Sequence, residues 1–240
     1  MHHLAAHLPW PRVKALADGG AWALLPVGST EAHGPHLPLN VDVVIAQEVC
    51  RRVARHHDAV EFPPVAYSLT DFAAPFAGTV TIPAETAKAM LVGVLRGLGQ
   101  SGFGRIAVIN HHLEPAHFKV VHAAAAEAQA GASFRVVVPD HRRKPTGPQL
   151  GDEFMHGGSH AGTYETSLML AAAPQLVDEA LRRGLAPVAV DLPGAIKQGA
   201  TNFLEAGGPE AYFGDPAGAS AAEGERLFDI IVRATLDAMG

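Results

Sequence analysis

Residues 106–129 read IAVINHHLEPAHFKVVHAAAAEAQ, an apolar run that breaks into a short polar stretch and resumes as an Ala-rich segment. Ile106 to Asn110, apolar and largely β-branched before its closing polar residue, predicts a strand. Pro115 suits a first helical turn, because its missing N–H would be unpaired there anyway, so a helix is expected from Pro115 to Gln129. The same alternation extends in both directions. Further strands are expected at Trp22 to Pro26, Val60 to Val65 and Phe134 to Pro139. Helices are expected at Val43 to His57, Ala84 to Leu98, Tyr164 to Ala172 and Ala219 to Ala238, from apolar residues at three-to-four spacing. The expected fold class is therefore α/β: a single domain over residues 1–240, with a mostly parallel β-sheet sandwiched by helices. Two Gly/Pro-rich stretches, 140–158 and 191–216, read as long ordered loops of the kind that serve as binding loops or lids.

Composition narrows the function. The chain has 240 residues, 48% of them hydrophobic, enough to bury a core without staples. A net charge of −6 gives no basic field for phosphates, so no nucleic-acid partner is expected. The single cysteine, Cys50, falls inside an expected helix as a small core hydrophobe and fits a reducing cytoplasm. No targeting segment or membrane span is apparent, so the protein is expected to be cytoplasmic and free of membrane. Histidine stands out, with 14 residues against 3 Tyr and 2 Trp. Of these, His2, His3 and His7 fall in a terminus expected to be mobile, and His56 and His57 at a helix end.

Two segments carry the chemistry. Glu31-Ala32-His33 follows the first expected strand and His112-Leu113-Glu114 follows Ile106 to Asn110. In extended backbone, residues i and i+2 point to one side, so each pair can aim a carboxylate and an imidazole at one place. Parallel strands would bring both pairs to the carboxyl edge of the sheet, where open α/β folds build sites. Asp42 adds a carboxylate able to bridge two cations. Three carboxylates and two neutral imidazoles carry about −3 against +4 for two divalent ions, leaving room for a bound hydroxide as nucleophile. The N/O ligand set suits Zn²⁺, Mn²⁺ or a related ion such as Fe²⁺. Spacing alone does not decide between ligand pairs and polar loop or capping residues.

The stretch Leu25 to Asp42, LPVGSTEAHGPHLPLNVD, closely resembles the signature of the creatininase family of amidohydrolases. Matching elements follow in order: Ala77 to Val80, Asn110 to Glu114, His160 to Ser167 (HAGTYETS), and a weaker Gly214-Asp215-Pro216. The resemblance implies that Glu31, Asp42 and His112 bind one metal while His33, Asp42 and Glu114 bind the other. His160 matches the catalytic histidine, which would protonate the leaving nitrogen. Glu165 is expected to support the N-terminus of the following helix, with contact to the site left open. His36 is expected to be structural, and His111 to point away from the metals. The resemblance further implies a homo-oligomer, of the hexameric kind found among relatives, and a small-molecule substrate, expected to be a cyclic amide.

Departures from the family pattern concern the pocket. Phe72 and Ala73 stand where many relatives carry a Glu-His pair, and the only tryptophans are Trp10 and Trp22, so an indole lid is absent. That argues against creatinine, with Phe154, Met155 and Tyr164 as partial replacements. A formamide, a lactone or a short modified peptide are the alternative substrates, and a non-catalytic metal-stabilised binding protein is the alternative from another class. Gly97 to Gly102 matches G-x-G-x-x-G, but it closes an expected helix instead of opening one, which excludes a dinucleotide loop. No G-x-S-x-G elbow exists, because Gly157-Gly158-Ser159-His160 is followed by Ala161.

Overall fold

The computed structural model describes residues 2–157 and 160–240. Along the chain run β1 (His2–Leu4), α1 (Trp10–Asp18), β2 (Trp22–Val27), α2 (Val41–Val53), β3 (Ala59–Glu61), α3 (Ala84–Gln100) and β4 (Arg105–Asn110). There follow α4 (Pro115–Gln129), β5 (Arg135–Val137), α5 (Asp152–His156), α6 (Thr163–Ala172), α7 (Glu179–Gly184), α8 (Leu192–Lys197) and α9 (Ala221–Met239). The strands form one five-stranded parallel sheet in the order β1-β3-β2-β4-β5, with helices on both faces, as the alternating pattern implies.

Both faces of the central strands are buried, and their side chains sort by the pleat. Trp22 and Leu24 of β2, with Ala107 and Ile109 of β4, pack beneath α2, α6 and α9. Ala23, Leu25 and Val27, with Ile106 and Val108, pack beneath α1, α3 and α4. The chain leaves β2 towards β3 on one side and returns through α3 to β4 on the other, so the loops after β2 and β4 part at a switch point. Such a crevice, at the carboxyl ends of the strands, is where doubly wound folds bind ligands.

Several boundaries differ from expectation for local reasons. The N-terminus, expected to be mobile, forms β1 instead: His2 to Leu4 pair in parallel with Ala59 to Glu61, and His2 Nε2 lies 2.7 Å from Glu61 Oε2. Pro63 and Pro64 offer no N–H to a ladder, so β3 stops at Glu61 and the chain rejoins β2 only through a Val27–Val65 bridge. Helix α2 ends at Val53, leaving His56 and His57 in the turn beyond it. The long loops 140–158 and 191–216 contain the short helices α5 and α8. Gly97 to Gly102 does close a helix: Ser101 N–H donates to Gly97 O, and Gly102 turns at φ 98°. Among the described residues, no helix is long and apolar enough to cross a membrane.

Candidate metal centre

Three short segments meet at the crevice. The loop after β2 carries Glu31 and His33, the first turn of α2 carries Asp42, and the loop after β4 carries His112; all four are buried. Close approach of α2 depends on Gly28, where an added Cβ would lie 2.7 Å from the Asp42 Cβ. Thr79, of the Ala77 to Val80 element, fixes the first loop from the other side, its Oγ1 accepting from Ala32 N–H at 3.0 Å.

Asp42 sits between the two imidazoles. Its Oδ1 is 3.4 Å from His33 Nε2 and its Oδ2 is 3.1 Å from His112 Nδ1, while Ser29 Oγ donates to Oδ2 at 2.8 Å. Glu31 Oε1 lies 3.3 Å from His112 Nδ1 and 3.7 Å from His33 Nε2. Glu165, at the start of α6, reaches the same cluster, its Oε2 standing 3.5 Å from His33 Nε2.

Each ring is oriented by a backbone carbonyl. Because a carbonyl only accepts, His33 Nδ1–H donates to Glu31 O at 3.1 Å, His112 Nε2–H to Leu69 O at 2.9 Å and His160 Nε2–H to Ala32 O at 2.9 Å. The opposite nitrogen of each ring is thereby turned towards carboxylate oxygens, the arrangement in which a supporting hydrogen bond fixes a metal-binding tautomer. A deeper relay steadies His112. Ser68 Oγ–H donates to His117 Nδ1 at 2.6 Å, His117 Nε2–H to Asn110 Oδ1 at 2.8 Å, and Asn110 Nδ2–H to His112 O at 2.9 Å.

The cluster demands positive charge. Burial pulls His33 towards neutrality, yet Glu165, Asp42 and Glu31 carry its pKa up to about 10. Burial acts likewise on His112, and Glu31 with Asp42 overcome it, raising that ring well above its ordinary value. Burial pushes Asp42 up, but the two imidazoles hold its carboxyl well below the usual range. Protons therefore occupy, in cation-free protein, the positions where cations would sit. Among the described residues Glu31 Oε2 and His33 Nε2 are buried without a hydrogen-bond partner, an unfavourable state that a metal ion would relieve. The donor set fits that role: Glu31/Asp42/His112, His33/Asp42/Glu165 and Glu31/His33/His160 each offer ligand atoms within 4.8 Å of one another.

Glu114 stands apart from the expected arrangement. It belongs to none of these triads among the described residues; it lines the adjoining pocket and accepts from Phe72 N–H at 3.4 Å. Burial pushes its carboxyl up to about 7. The place expected for it beside His33 and Asp42 is taken by Glu165, which burial pushes up to about 8 against the pull of His33. The expected helix-supporting role of Glu165 is also present, since its Oε2 accepts from Ala161 N–H at 2.7 Å. Ala161 achieves this with a left-handed φ of 51°, a strained conformation of the kind concentrated at functional sites. The HAGTYETS motif contained the signal for Glu165, whose helix-start position pointed first to a supporting role and left contact with the site open.

His160 turns Nδ1 towards Glu31 Oε1 at 3.8 Å, and burial, then the charge on His33, keep its pKa well below the ordinary value. His36 bonds Thr166 Oγ1 at 2.9 Å and lies outside the donor triads among the described residues. His111 stacks on Tyr164 and His141, its Nε2 only within 4.0 Å of Glu165. The residues Gly158 and Ser159 of the loop before His160 lie outside the described residues.

Above the cluster opens a cavity of about 140 Å³. Glu31, His112, Glu114, His160 and Glu165 contribute to its lining, and Phe72, Phe154, Leu192, Ile196 and Phe203 supply apolar wall. Of the residues expected to replace an indole lid in part, Phe154 is in this wall, Met155 is exposed and Tyr164 is buried against His111. Phe203, which sequence reading missed, packs on His160 with ring centroids 4.2 Å apart.

A parallel α/β sheet whose switch crevice gathers carboxylates and neutral-capable imidazoles around a cavity defines a metal-dependent hydrolase. The family model described as "Creatinine amidohydrolase" matches residues 6–239. The chain is 34% identical over 226 residues to a mycofactocin precursor peptide peptidase of Mycolicibacterium smegmatis, covering 89% of this chain and 82% of that one. It is 33% identical over 187 residues to a creatinine amidohydrolase of Pseudomonas putida, covering 71% and 72%. A solved structure described as "Creatininase Mn" superposes with a TM-score of 0.79 at 27% identity, covering 99% of this chain and 97% of that one. The chain belongs to the creatininase family of metal-dependent amidohydrolases.

Proposed function

We propose that residues 1–240 form one catalytic domain that hydrolyses the C–N bond of a small amide at a pair of divalent cations. In this reading Glu31, Asp42 and His112 hold one ion and His33, Asp42 and Glu165 hold the other, with Asp42 shared. The observation that carries it is Asp42 itself, each oxygen facing a different imidazole while both face a carboxylate-rich, buried interior. Zn²⁺ and Mn²⁺ both suit this N/O set. When bound, such a pair lowers the pKa of a water towards neutrality and polarises a carbonyl.

The remaining chemistry belongs to the chain. His160 accepts a proton at Nδ1 from the attacking water and delivers it to the departing nitrogen, its other nitrogen being fixed by Ala32 O. Glu114 serves as a proton-holding carboxyl at the pocket wall, its pKa near the working pH, in place of the metal-ligand role first expected. Two substrate classes are suggested by the relatives: a small amide of the creatinine kind, the Pseudomonas putida protein being named a creatinine amidohydrolase, or a peptide amide, the Mycolicibacterium smegmatis protein being named a precursor peptide peptidase. The aromatic and aliphatic cavity wall, without tryptophan, favours the second.

The deciding experiment is turnover of cyclic amides, formamides, lactones and short modified peptides by metal-reconstituted protein, with bound metal counted in parallel. Cleavage of an amide that requires two equivalents of metal is expected. Full metal occupancy with no amide cleaved would instead identify a metal-stabilised binding protein.

A further inference from the structure

We propose that the cavity contains a slot for an uncharged aromatic or branched aliphatic group on the nitrogen side of the scissile amide, with Phe203 as its specificity-determining residue. The proposal rests on the reading of His160 as the donor to the leaving nitrogen. The His160 ring centroid lies 4.4 Å from that of His33 and 4.2 Å from that of Phe203, and His160 and Phe203 line the cavity together. A nitrogen that receives its proton from His160 therefore carries its substituent next to Phe203. Phe72 stands 5.8 Å from Phe203, ring to ring, and Leu192 and Ile196 of α8 continue the same wall.

The slot is preorganised. Phe203 N–H donates to Phe72 O at 2.8 Å, locking the two aromatic residues together through their backbones. Behind it, Phe213 packs at 5.3 Å between centroids, and Phe213 N–H donates to His160 O at 2.9 Å, so the wall and the catalytic ring are held by one scaffold. Wall residues fixed in this way can select a shape without ordering cost on binding.

Charge sets the class. Among the described residues no Lys or Arg lines the cavity, while Glu114 stands beside Phe72. An anionic substituent would find no partner there, and a cationic one would lose its hydration against phenyl rings. A benzyl-sized or branched alkyl group would instead gain apolar burial.

The test compares formyl and acetyl amides of benzylamine, methylamine and glycine with metal-loaded wild type, Phe203→Ala and Phe203→Leu, each checked for fold by circular dichroism and for bound metal. For the wild type, kcat/KM for the benzylamides should exceed that for the methylamides by at least about tenfold, the scale on which apolar pockets discriminate, with the glycine amides slowest. Phe203→Ala should abolish the preference and Phe203→Leu restore part of it. Equal kcat/KM for benzyl and methyl amides, or a preference that survives Phe203→Ala, overturns the proposal. Should none of these amides turn over, the hydrolase reading stands or falls separately on the cyclic amides, lactones and peptides, and the slot is judged by binding. N-benzylacetamide must then bind about tenfold tighter than N-methylacetamide to wild type and lose that margin in Phe203→Ala; equal affinities overturn the slot.

Discussion

The floor and the wall of the cavity are built on different principles. The floor consists of Glu31, His33 and His112 on the loops after β2 and β4, with Asp42 in the first turn of α2, each imidazole held by a carbonyl. The wall consists of Phe72, Phe154, Leu192, Ile196 and Phe203, carried on loops and two short helices that add no strand to the sheet. Rigid sheet edges hold ligand atoms in a fixed geometry, whereas loops tolerate substitution, so the chemistry belongs to the floor and the choice of substrate to the wall.

The sharpest way to break this division is to remove the carboxylate on which the whole floor converges. Asp42→Ala should empty both metal positions together and reduce turnover to background, because both triads with an Asp42 oxygen lose a ligand. Metal analysis after dialysis would contradict the sharing if one full equivalent stayed bound. Next in size is His160→Ala, expected to keep both ions and lower kcat by about 10²- to 10⁴-fold, the range for a positioned proton carrier. His160 also completes a triad with Glu31 and His33, so loss of an ion in this variant would reassign it from proton carrier to ligand.

A smaller effect separates the two glutamates. Glu165→Gln should weaken one of the two ions by more than the roughly 10- to 100-fold typical of a supporting residue behind a ligand. Glu114→Gln should leave both ions in place and instead remove a pH-dependent step near neutrality, since its carboxyl is pushed up to about 7 by burial. Metal titrations that show the reverse ranking would return Glu114 to the ligand role implied by the family signature.

How much of this was legible in the sequence follows the same division. Residues 106–129 gave strand, loop and helix almost to the residue, because β-branched periodicity and Pro115 act locally. The convergence of Glu31 and His33 was visible for a similar reason, i, i+2 spacing after a strand being a local geometric fact, but the same spacing paired Glu114 with His112, and the fold turns Glu114 to the pocket wall. Phe203 and His117 were not visible, and Glu165 showed only as a helix-start carboxylate whose contact with the site stayed open, since each acquires its role from a partner distant in sequence. Phe203 meets His160, Glu165 meets His33, and His117 meets Ser68. Likewise β1 has too few residues to show a period, and only the neighbouring edge of β3 makes it a strand.

The smallest expected effect concerns stability and distinguishes protons from cations on the floor. The folded-state pKa of His33 is raised from 6.5 to about 10, and that of His112 is raised as well, so cation-free protein gains stability from their protonation. That contribution is complete below the unfolded value near 6.5 and is lost as pH rises through the folded values, so the Tm of cation-free protein should fall between about pH 6.5 and 10. Glu165 adds a decline that starts lower and ends sooner, between about pH 4.5 and 8, because its carboxyl is raised from 4.5 to about 8 and must ionise in a buried place. With cations bound, the positive charge no longer depends on those protons, and loading itself releases protons. Metal-loaded protein should therefore show a flatter Tm profile across that window, and the gain in Tm on adding metal should grow with pH. Parallel profiles with and without metal would mean that the ions bind somewhere other than this cluster.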